Sequence, residues 1–303
     1  MSPSDDTVRV RVDEHILQLS NLDKVLYPET GFAKRDVIDY YSRIAPVMLP
    51  HLAGRPLTLR RYPNGVDGKS FFEKNAPIHK PTWVRTVRLP VPGSTMNREE
   101  IDFLVIENLA GMVWVANLAG LELHTPQWTV GPRGAVKGTD LLVFDLDPGA
   151  PAGIAQCQEV ACLLRDELAA DGLTAYPKTS GSKGMQVSVP IRPADPGRTS
   201  DYARTLAGQL ARKHPKLITA EMAKAVRPGR IFVDWSQNNT AKTTICVYSL
   251  RARPEPRVST PVTWEEVEHE KSLNFTAPDV LERVERLGDL HAGALDASTS
   301  LPG

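Results

Sequence analysis

The segment Leu141-Leu142-Val143-Phe144-Asp145-Leu146-Asp147-Pro148 alternates with the two-residue period of a β-strand. Side chains at i and i+2 share a face, so Asp145 and Asp147 stand together while Leu142, Phe144 and Leu146 point the other way, into a core. Two carboxylates this close raise each other's pKa unless a cation neutralises them, and Pro148 ends the strand beside them. A second alternation, Ile231-Phe232-Val233-Asp234-Trp235, offers a third acid in Asp234. Three carboxylates from two strands suit two Mg²⁺ or Mn²⁺ ions roughly 3.5 to 4 Å apart, the arrangement that serves in-line phosphoryl or nucleotidyl transfer. Asp-x-Asp is also common in turns and calcium loops, but there glycine and asparagine flank it rather than apolar strand residues. Asp145, Asp147 and Asp234 are therefore the candidate metal ligands and catalytic carboxylates.

At 303 residues the chain can be one large domain or two small ones, and 41% hydrophobic with 24% charged residues is an ordinary globular composition. It has no apolar run of about eighteen residues, and its first residues lack the basic and apolar parts of a signal peptide, so a cytoplasmic protein without membrane contact is expected. Cys157, Cys162 and Cys246 show no C-x-x-C spacing and read as reduced core residues. Lys plus Arg equals Asp plus Glu at 36 each, so global charge says nothing about nucleic acid. Local charge does. Between His51 and Pro90, Arg55, Arg60, Arg61, Lys69, Lys74, Lys80, Arg85 and Arg88 face only Asp67 and Glu73. Such a run is either a solvated face or a groove for phosphates.

Val8, Val10 and Val12 open a strand; Val37, Tyr40, Tyr41, Ile44 and Met48 recur at helical spacing up to a stop at Gly54. Strands are expected at Leu57 to Arg61, Leu121 to His124, Thr174 to Lys178, Met185 to Ile191, Ile231 to Trp235 and Thr243 to Tyr248. Helices are expected at Leu109 to Leu118, Ala155 to Ala170 and Ser200 to Arg212. The pattern is a mixed α/β (α+β) fold with hairpin-like neighbours rather than a regular βαβ series. Residues 1–290 read as a single domain in three parts, 1–135, 136–260 and a helical 261–290. Residues 291–303 read as a disordered tail.

Four further constellations bear on chemistry. Thr179-Ser180-Gly181-Ser182-Lys183-Gly184 can form a nest of backbone N–H groups with one lysine, suited to a triphosphate, or a plain Gly/Ser hairpin; it is not a Walker A loop. Arg251 and Arg253 share one face if extended, and Arg227 lies upstream of Asp234; guanidinium forks suit phosphate oxygens, though solvated arginines would look the same. Phe71 and Phe72 lie among cations, where alternation would bury one ring and leave the other to stack on a base; ordinary packing of both rings is the simpler local reading. His124 ends an apolar strand, with no Cys/His cluster to suggest zinc.

Taken together, these parts resemble, almost end to end, the polymerase module of bacterial ligase D in the archaeo-eukaryotic primase superfamily. The motifs are Ser20-Asn21-Leu22-Asp23-Lys24-Val25-Leu26-Tyr27-Pro28, Arg61-Tyr62-Pro63-Asn64-Gly65, Phe71-Phe72-Glu73-Lys74, Phe144-Asp145-Leu146-Asp147-Pro148, Ser180-Gly181-Ser182-Lys183-Gly184, Val233-Asp234-Trp235-Ser236-Gln237-Asn238 and Tyr248-Ser249-Leu250-Arg251. The resemblance implies largely antiparallel central sheets flanked by helices. It also implies a primer- and template-dependent polymerase that prefers ribonucleotides, favours Mn²⁺ over Mg²⁺ and fills short gaps or broken ends in repair. It casts Ser180, Lys183, Arg251, Arg253, His124, Gln237 and Gln186 as nucleotide contacts. Arg60, Arg61, Phe71, Phe72, Lys74 and Arg227 become DNA contacts, and Lys24 with Lys34 the grip on a 5′-phosphate across the gap. The implied partners are gapped or broken DNA, an NTP, an ATP-dependent DNA ligase and the end-binding protein Ku, for a monomer at the nucleoid.

Two departures stand out. Gln186 replaces the histidine usual two residues after the Ser-Gly-Ser-Lys-Gly loop, and the connections from His124 to Asp145 and from Lys80 to Ile101 differ in length from typical members. A non-catalytic DNA-end-binding module is therefore an alternative. So is a glycosyltransferase holding a nucleotide-sugar on Asp-x-Asp, although that leaves Asp234 and the basic stretch unexplained.

Overall fold

A computed structural model of the chain describes residues 7–91 and 98–302. Part of the Lys80 to Ile101 connection, and the first residues of the chain, thus lie outside the described residues. A hairpin of β1 (Thr7–Val12) and β2 (His15–Ser20) leads through β3 (Val25–Tyr27) and β4 (Phe32–Ala33) into α1 (Lys34–Leu52). The apolar stripe predicted for α1 is its buried face: Val37, Tyr40, Tyr41, Ile44 and Met48 are all in the core. β5 (Thr58–Arg61), β6 (Phe71–Glu73), β7 (Thr86–Pro90), β8 (Glu100–Leu104), α2 (Leu109–Asn117), β9 (Gly120–Thr125) and β10 (Trp128–Val130) complete the first part.

The long β11 (Val136–Pro148) carries the two acids, followed by α3 (Ile154–Ala170), β12 (Tyr176–Thr179), β13 (Met185–Ala194), α4 (Pro196–Lys213), β14 (Ile218–Thr219) and β15 (Ile231–Asp234). Next come β16 (Thr244–Ile245), β17 (Leu250–Ala252), β18 (Pro256–Val258), α5 (Trp264–His269) and α6 (Ala277–Leu287).

Two sheets organise the molecule. The first has the order β12-β13-β11-β15-β14, with β10 also pairing β11, and is antiparallel except for β14 beside β15. The second has the order β16-β9-β5-β6 and is antiparallel throughout. Even-numbered residues of β11, Leu142, Phe144 and Leu146, pack with Met185 and Val187 against Val160, Leu164, Leu206 and Leu210 of α3 and α4. The odd-numbered face, with the acids, is turned towards the second sheet. Leu59, Leu121 and Leu123 of that sheet pack on α1 and α2 in a separate core. This is the mixed, largely antiparallel, helix-flanked fold that the resemblance implies, and both buried cysteines, Cys157 and Cys246, are free thiols.

Two expectations about organisation need correction. The 136–260 part is not one unit: Cys246, Val247, Tyr248, Leu250 and Val258 return to the core on α1 and α2, as do Val280 and Leu281 of α6. The cause is that β16 pairs with β9, so the chain crosses back to the second sheet after Asp234. Residues 291–302, expected to be disordered, are packed. Asp289 accepts hydrogen bonds from the Tyr248 hydroxyl at 2.6 Å and the backbone of His291 at 2.8 Å, and lies 2.9 Å from His51 Nε2. Beyond a 3₁₀ turn at Ala292–Leu295, Thr299 O accepts from Arg192 N at 2.7 Å and Leu301 enters the core behind the first sheet, with Phe144. Backbone carbonyls taken up by arginines hold this segment, a signal that composition does not carry.

Asp289 therefore joins α1, β17's approach and the C-terminal segment. Asp289→Ala leaves a buried tyrosine hydroxyl and His51 without their acceptor and should lower stability by about 3 kcal/mol in chemical denaturation. An unchanged denaturation midpoint would mean that the segment is only laid over the surface.

Candidate active site

The register of β11 against β15 sets Asp145 directly opposite Asp234, with Asp147 one pleat further along the same face. On the other flank Asp145 faces Gln186 of β13, which faces Lys178 of β12. The structure thus brings together the three acids expected from sequence. Asp234 is buried; its Oδ1 accepts from Ser236 N at 3.0 Å and Ser236 Oγ at 2.6 Å, and its Oδ2 from Gln237 Nε2 at 2.8 Å. Burial first, then the Asp147 charge, push the Asp145 carboxyl up to about 7, with the Gln186 hydrogen bond and Lys178 pulling back. Asp147, open to solvent on one side, is raised by partial desolvation against the sheet and by Asp234. These are carboxylates without enough positive charge around them.

Among the described residues no three His, Cys, Asp or Glu side chains are already drawn into a closed metal cluster. The donor chemistry nevertheless fits hard divalent cations: oxygen ligands only, on one sheet face, with Asp147 exposed and Asp145 carrying a raised pKa that a cation would reverse.

Beside the acids lies the Ser180–Gly184 loop. Ser180 Oγ accepts from Ser182 N and Gly184 N, both at 3.2 Å, so part of the expected backbone nest is engaged by the loop's own hydroxyl. Gly181 has φ +66, and a Cβ at Gly184 would overlap Leu146 O; only glycine lets the loop lie this close to β11. Lys183 projects into solvent. Arg251 donates to Ser180 O at 3.0 Å and Arg253 to Ser182 Oγ, so both guanidiniums reach the loop, as their shared face predicts.

Glu122 escaped the sequence reading, yet it is the hub of this side. Only 2% exposed, it accepts from Arg251 Nε at 3.2 Å and Ala252 N at 3.1 Å, meets His124 Nε2 at 3.2 Å, and has Arg60 at 3.7 Å. Burial would raise its pKa, but His124, Arg251 and the Ala252 amide outweigh it and hold the carboxyl at about 2. Burial in turn lowers the pKa of His124 despite Glu122, so the imidazole is neutral at pH 7. The signal was present: Glu122 and His124 alternate with Leu121 and Leu123, which puts two polar groups on one strand face.

Phe71 and Phe72 are both exposed, at 45% and 58%, and neither packs in the core as local sequence suggested. β6 is the edge of its sheet and its rings lie against cross-strand arginines: Arg61 over Phe71 and Arg60 over Phe72, each 5.3 Å from the ring centroid. Phe72 also meets His124 edge-on at 5.8 Å. Lys74 is exposed nearby, while Arg61 is tied to Glu73 at 3.1 Å. Lys24 reaches Asn64 Oδ1 at 3.0 Å and buried Lys34 donates to Ser20 O at 2.7 Å. Burial, then Lys24 and Arg61, lower the Lys34 pKa to about 8, which marks a crowd of positive charge that an anion would relieve.

Three expected contacts are placed differently. Gln237 is turned to Asp234, and Gln186, 3% exposed, donates to Asp145 Oδ1 at 3.2 Å; each answers a carboxylate rather than open space. Arg227 lies over the Phe232 ring at 3.7 Å and donates to Met222 O at 2.7 Å, which places it beside Asp147. The common reason is that buried or unneutralised groups claim the nearest partner.

The raised Asp145 pKa has a measurable consequence. The folded, cation-free chain holds a proton there between about pH 4 and pH 7 that the unfolded chain does not, so this contribution to stability is full below about pH 4 and lost as pH rises through about 7. Cation-free wild type should therefore lose stability relative to Asp145→Asn across that range in denaturation experiments. Mn²⁺ should restore it near pH 8 far more than near pH 5; parallel pH curves would contradict this assignment.

A family model described as LigD, primase-polymerase domain, matches residues 33–291. The chain is 43% identical over 288 residues to the multifunctional non-homologous end joining protein LigD of Mycolicibacterium smegmatis, covering 94% of this chain and 37% of that protein. It is 31% identical over 277 residues to the bifunctional non-homologous end joining protein LigD of Bacillus subtilis, covering 90% of this chain and 43% of that one. It thus spans less than half the length of either relative. Among solved structures it is similar to the polymerase domain from Mycobacterium tuberculosis ligase D in complex with DNA, with a TM-score of 0.88, 42% identity, and coverage of 93% of this chain and 99% of that chain. With its acids, loop and arginines in place on a matching fold, the chain belongs to the LigD primase-polymerase domain family.

Proposed function

We propose that the chain is a template-dependent nucleotidyltransferase that adds nucleotides, ribonucleotides by preference, to primer 3′ ends at short gaps or breaks in DNA. The observation that carries this reading is the meeting of Asp145, Asp147 and Asp234 on one sheet face, beside a loop clasped by Arg251 and Arg253. The similarity to a polymerase domain described in complex with DNA supports it.

Asp145, Asp147 and Asp234 would hold two Mn²⁺ or Mg²⁺ ions, whose chemistry is to acidify a primer hydroxyl and to stabilise charge on phosphate oxygens. The chain's own groups do the rest. Ser180, Lys183, Arg251 and Arg253 bind the β- and γ-phosphates, and Glu122 keeps Arg251 aimed. Neutral His124, its Nε2 turned to Glu122, borders the nucleotide without adding charge. Phe71 and Phe72 offer exposed ring faces to unstacked bases, with Arg60 and Lys74 beside them for phosphates. Lys24 and Lys34 hold the 5′-phosphate of the downstream strand, which fixes the primer end relative to the acids. No helix among the described residues is long and apolar enough to cross a membrane. An ATP-dependent DNA ligase and Ku are the proposed partners, and the nucleoid the proposed place of action.

Extension of a primer across a one-nucleotide gap, with NTPs and MnCl₂, tests the reading. Wild type should add a nucleotide and Asp145→Ala should fall to background; gap binding with no extension by wild type in either metal would leave only a DNA-end-binding module. On gapped DNA, Lys24→Ala should cut the preference for a 5′-phosphate over a 5′-hydroxyl by about 10-fold in anisotropy titrations. An unchanged preference would remove Lys24 from the phosphate site.

A further inference from the structure

Lys178, Gln186, Asp145 and Asp234 form one cross-strand row over β12, β13, β11 and β15. Neighbours in such a row stand about 5 Å apart. Gln186 donates from Nε2 to Asp145 Oδ1, while its Oε1 is buried without a hydrogen-bond partner among the described residues. A buried amide oxygen normally has one. Lys178, 4% exposed, donates to Ile245 O at 3.1 Å and Ser259 Oγ at 2.6 Å, which leaves a third N–H free when the amine is charged. An unfilled acceptor and an unfilled donor thus occupy adjacent places in the row.

We propose that Gln186 and Lys178 are a positioning pair for Asp145, in which the amide fixes the carboxylate so that Oδ2 faces the cation, and the charge of Lys178, one place along the row and not hydrogen-bonded to the amide, orients the amide oxygen. The inference rests on the reading of the three acids as a cation site. An ammonium placed directly on Asp145 would neutralise it and compete with the cation. An interposed neutral amide orients the carboxylate without removing its charge. Both ends of Gln186 point inward, so it cannot also reach a triphosphate in this arrangement. Lys178 additionally ties β12 to β16 and to Ser259, whose hydroxyl donates to Thr179 O, so the row is anchored to the strand that leads into the Ser180 loop. Groups that orient a ligating side chain typically change metal affinity by 10- to 100-fold when removed.

The test follows Mn²⁺-dependent thermal stabilisation of the cation-free protein, with no nucleotide present, together with kcat and KM for NTP in gap extension. Gln186→Met and Lys178→Met should each raise the Mn²⁺ concentration for half-maximal stabilisation by about 10-fold and lower kcat at fixed Mn²⁺, with KM for NTP unchanged. Gln186→His, whose ring N–H can still donate to Asp145, should keep the wild-type Mn²⁺ midpoint. If Gln186→Met does not fold, Gln186→Asn, with its amide drawn back by one methylene, must show the same shift; if Lys178→Met does not fold, the Gln186 variants decide alone. A raised KM for NTP with an unmoved Mn²⁺ midpoint would make Gln186 a nucleotide contact and overturn the pair, and so would no change in either quantity. Absence of Mn²⁺ stabilisation in wild type, or its persistence in Asp145→Asn, would overturn the cation site itself, and the pair with it.

Discussion

The pairing of β11 with β15 sets one carboxylate against another, Asp145 opposite Asp234, on two hydrogen-bonded strands. Like charges directly opposite destabilise a sheet. The register persists because the reverse face of the same strands carries Leu142, Phe144, Leu146 and Val233, all buried against helices. Each such side chain contributes about 1.5 to 3 kcal/mol on burial, and a slip of one residue would move every one of them to the wrong face. The hydrophobic back of the sheet thus enforces the electrostatic tension at its front, and that tension is what a bound cation would relieve.

The two sheets are joined at this front by buried charge rather than by apolar packing alone. Lys178 reaches from β12 to β16, and Glu122 of β9 holds Arg251, which donates to Ser180 O just beyond β12. Buried ions add little net stability, but removing one partner strands the other, so such contacts fix relative position. Here they fix the Ser180–Gly184 loop, the proposed phosphate site, against the strand that carries the acids. The exposed rings of β6 and the lysines near Asn64 lie further along the same side, through Arg60 and Arg61.

Where the sequence had a period, it was readable. β11, β13, α1 and α3 were expected within a few residues because alternation or a helical stripe runs through each, and the three acids followed from strand geometry. Strands of two or three residues, such as β3, β4, β17 and β18, have no period to find, and they owe their pairing to long-range contacts. The local reading of Phe71 and Phe72 as packed rings fails because nothing local says that β6 is an edge. Lys178 and Glu122 were passed over because a buried ion and a surface ion look alike until the fold supplies a partner. The last residues were read as disorder for a related reason: Asp289 is a core group only once Tyr248 and His51 are beside it. Gln237 and Gln186 were assigned by resemblance, and their engagement with carboxylates became visible only with coordinates.

The central claim is that three carboxylates on one face gather hard cations next to a nucleotide's phosphates. Anomalous diffraction from crystals grown with Mn²⁺ and an NTP measures this directly. The account predicts manganese density bounded by Asp145 and Asp147, with Asp234 at its edge and the triphosphate running towards Ser180 and Arg251. Manganese density elsewhere, or a triphosphate bound with none at these acids, would contradict it.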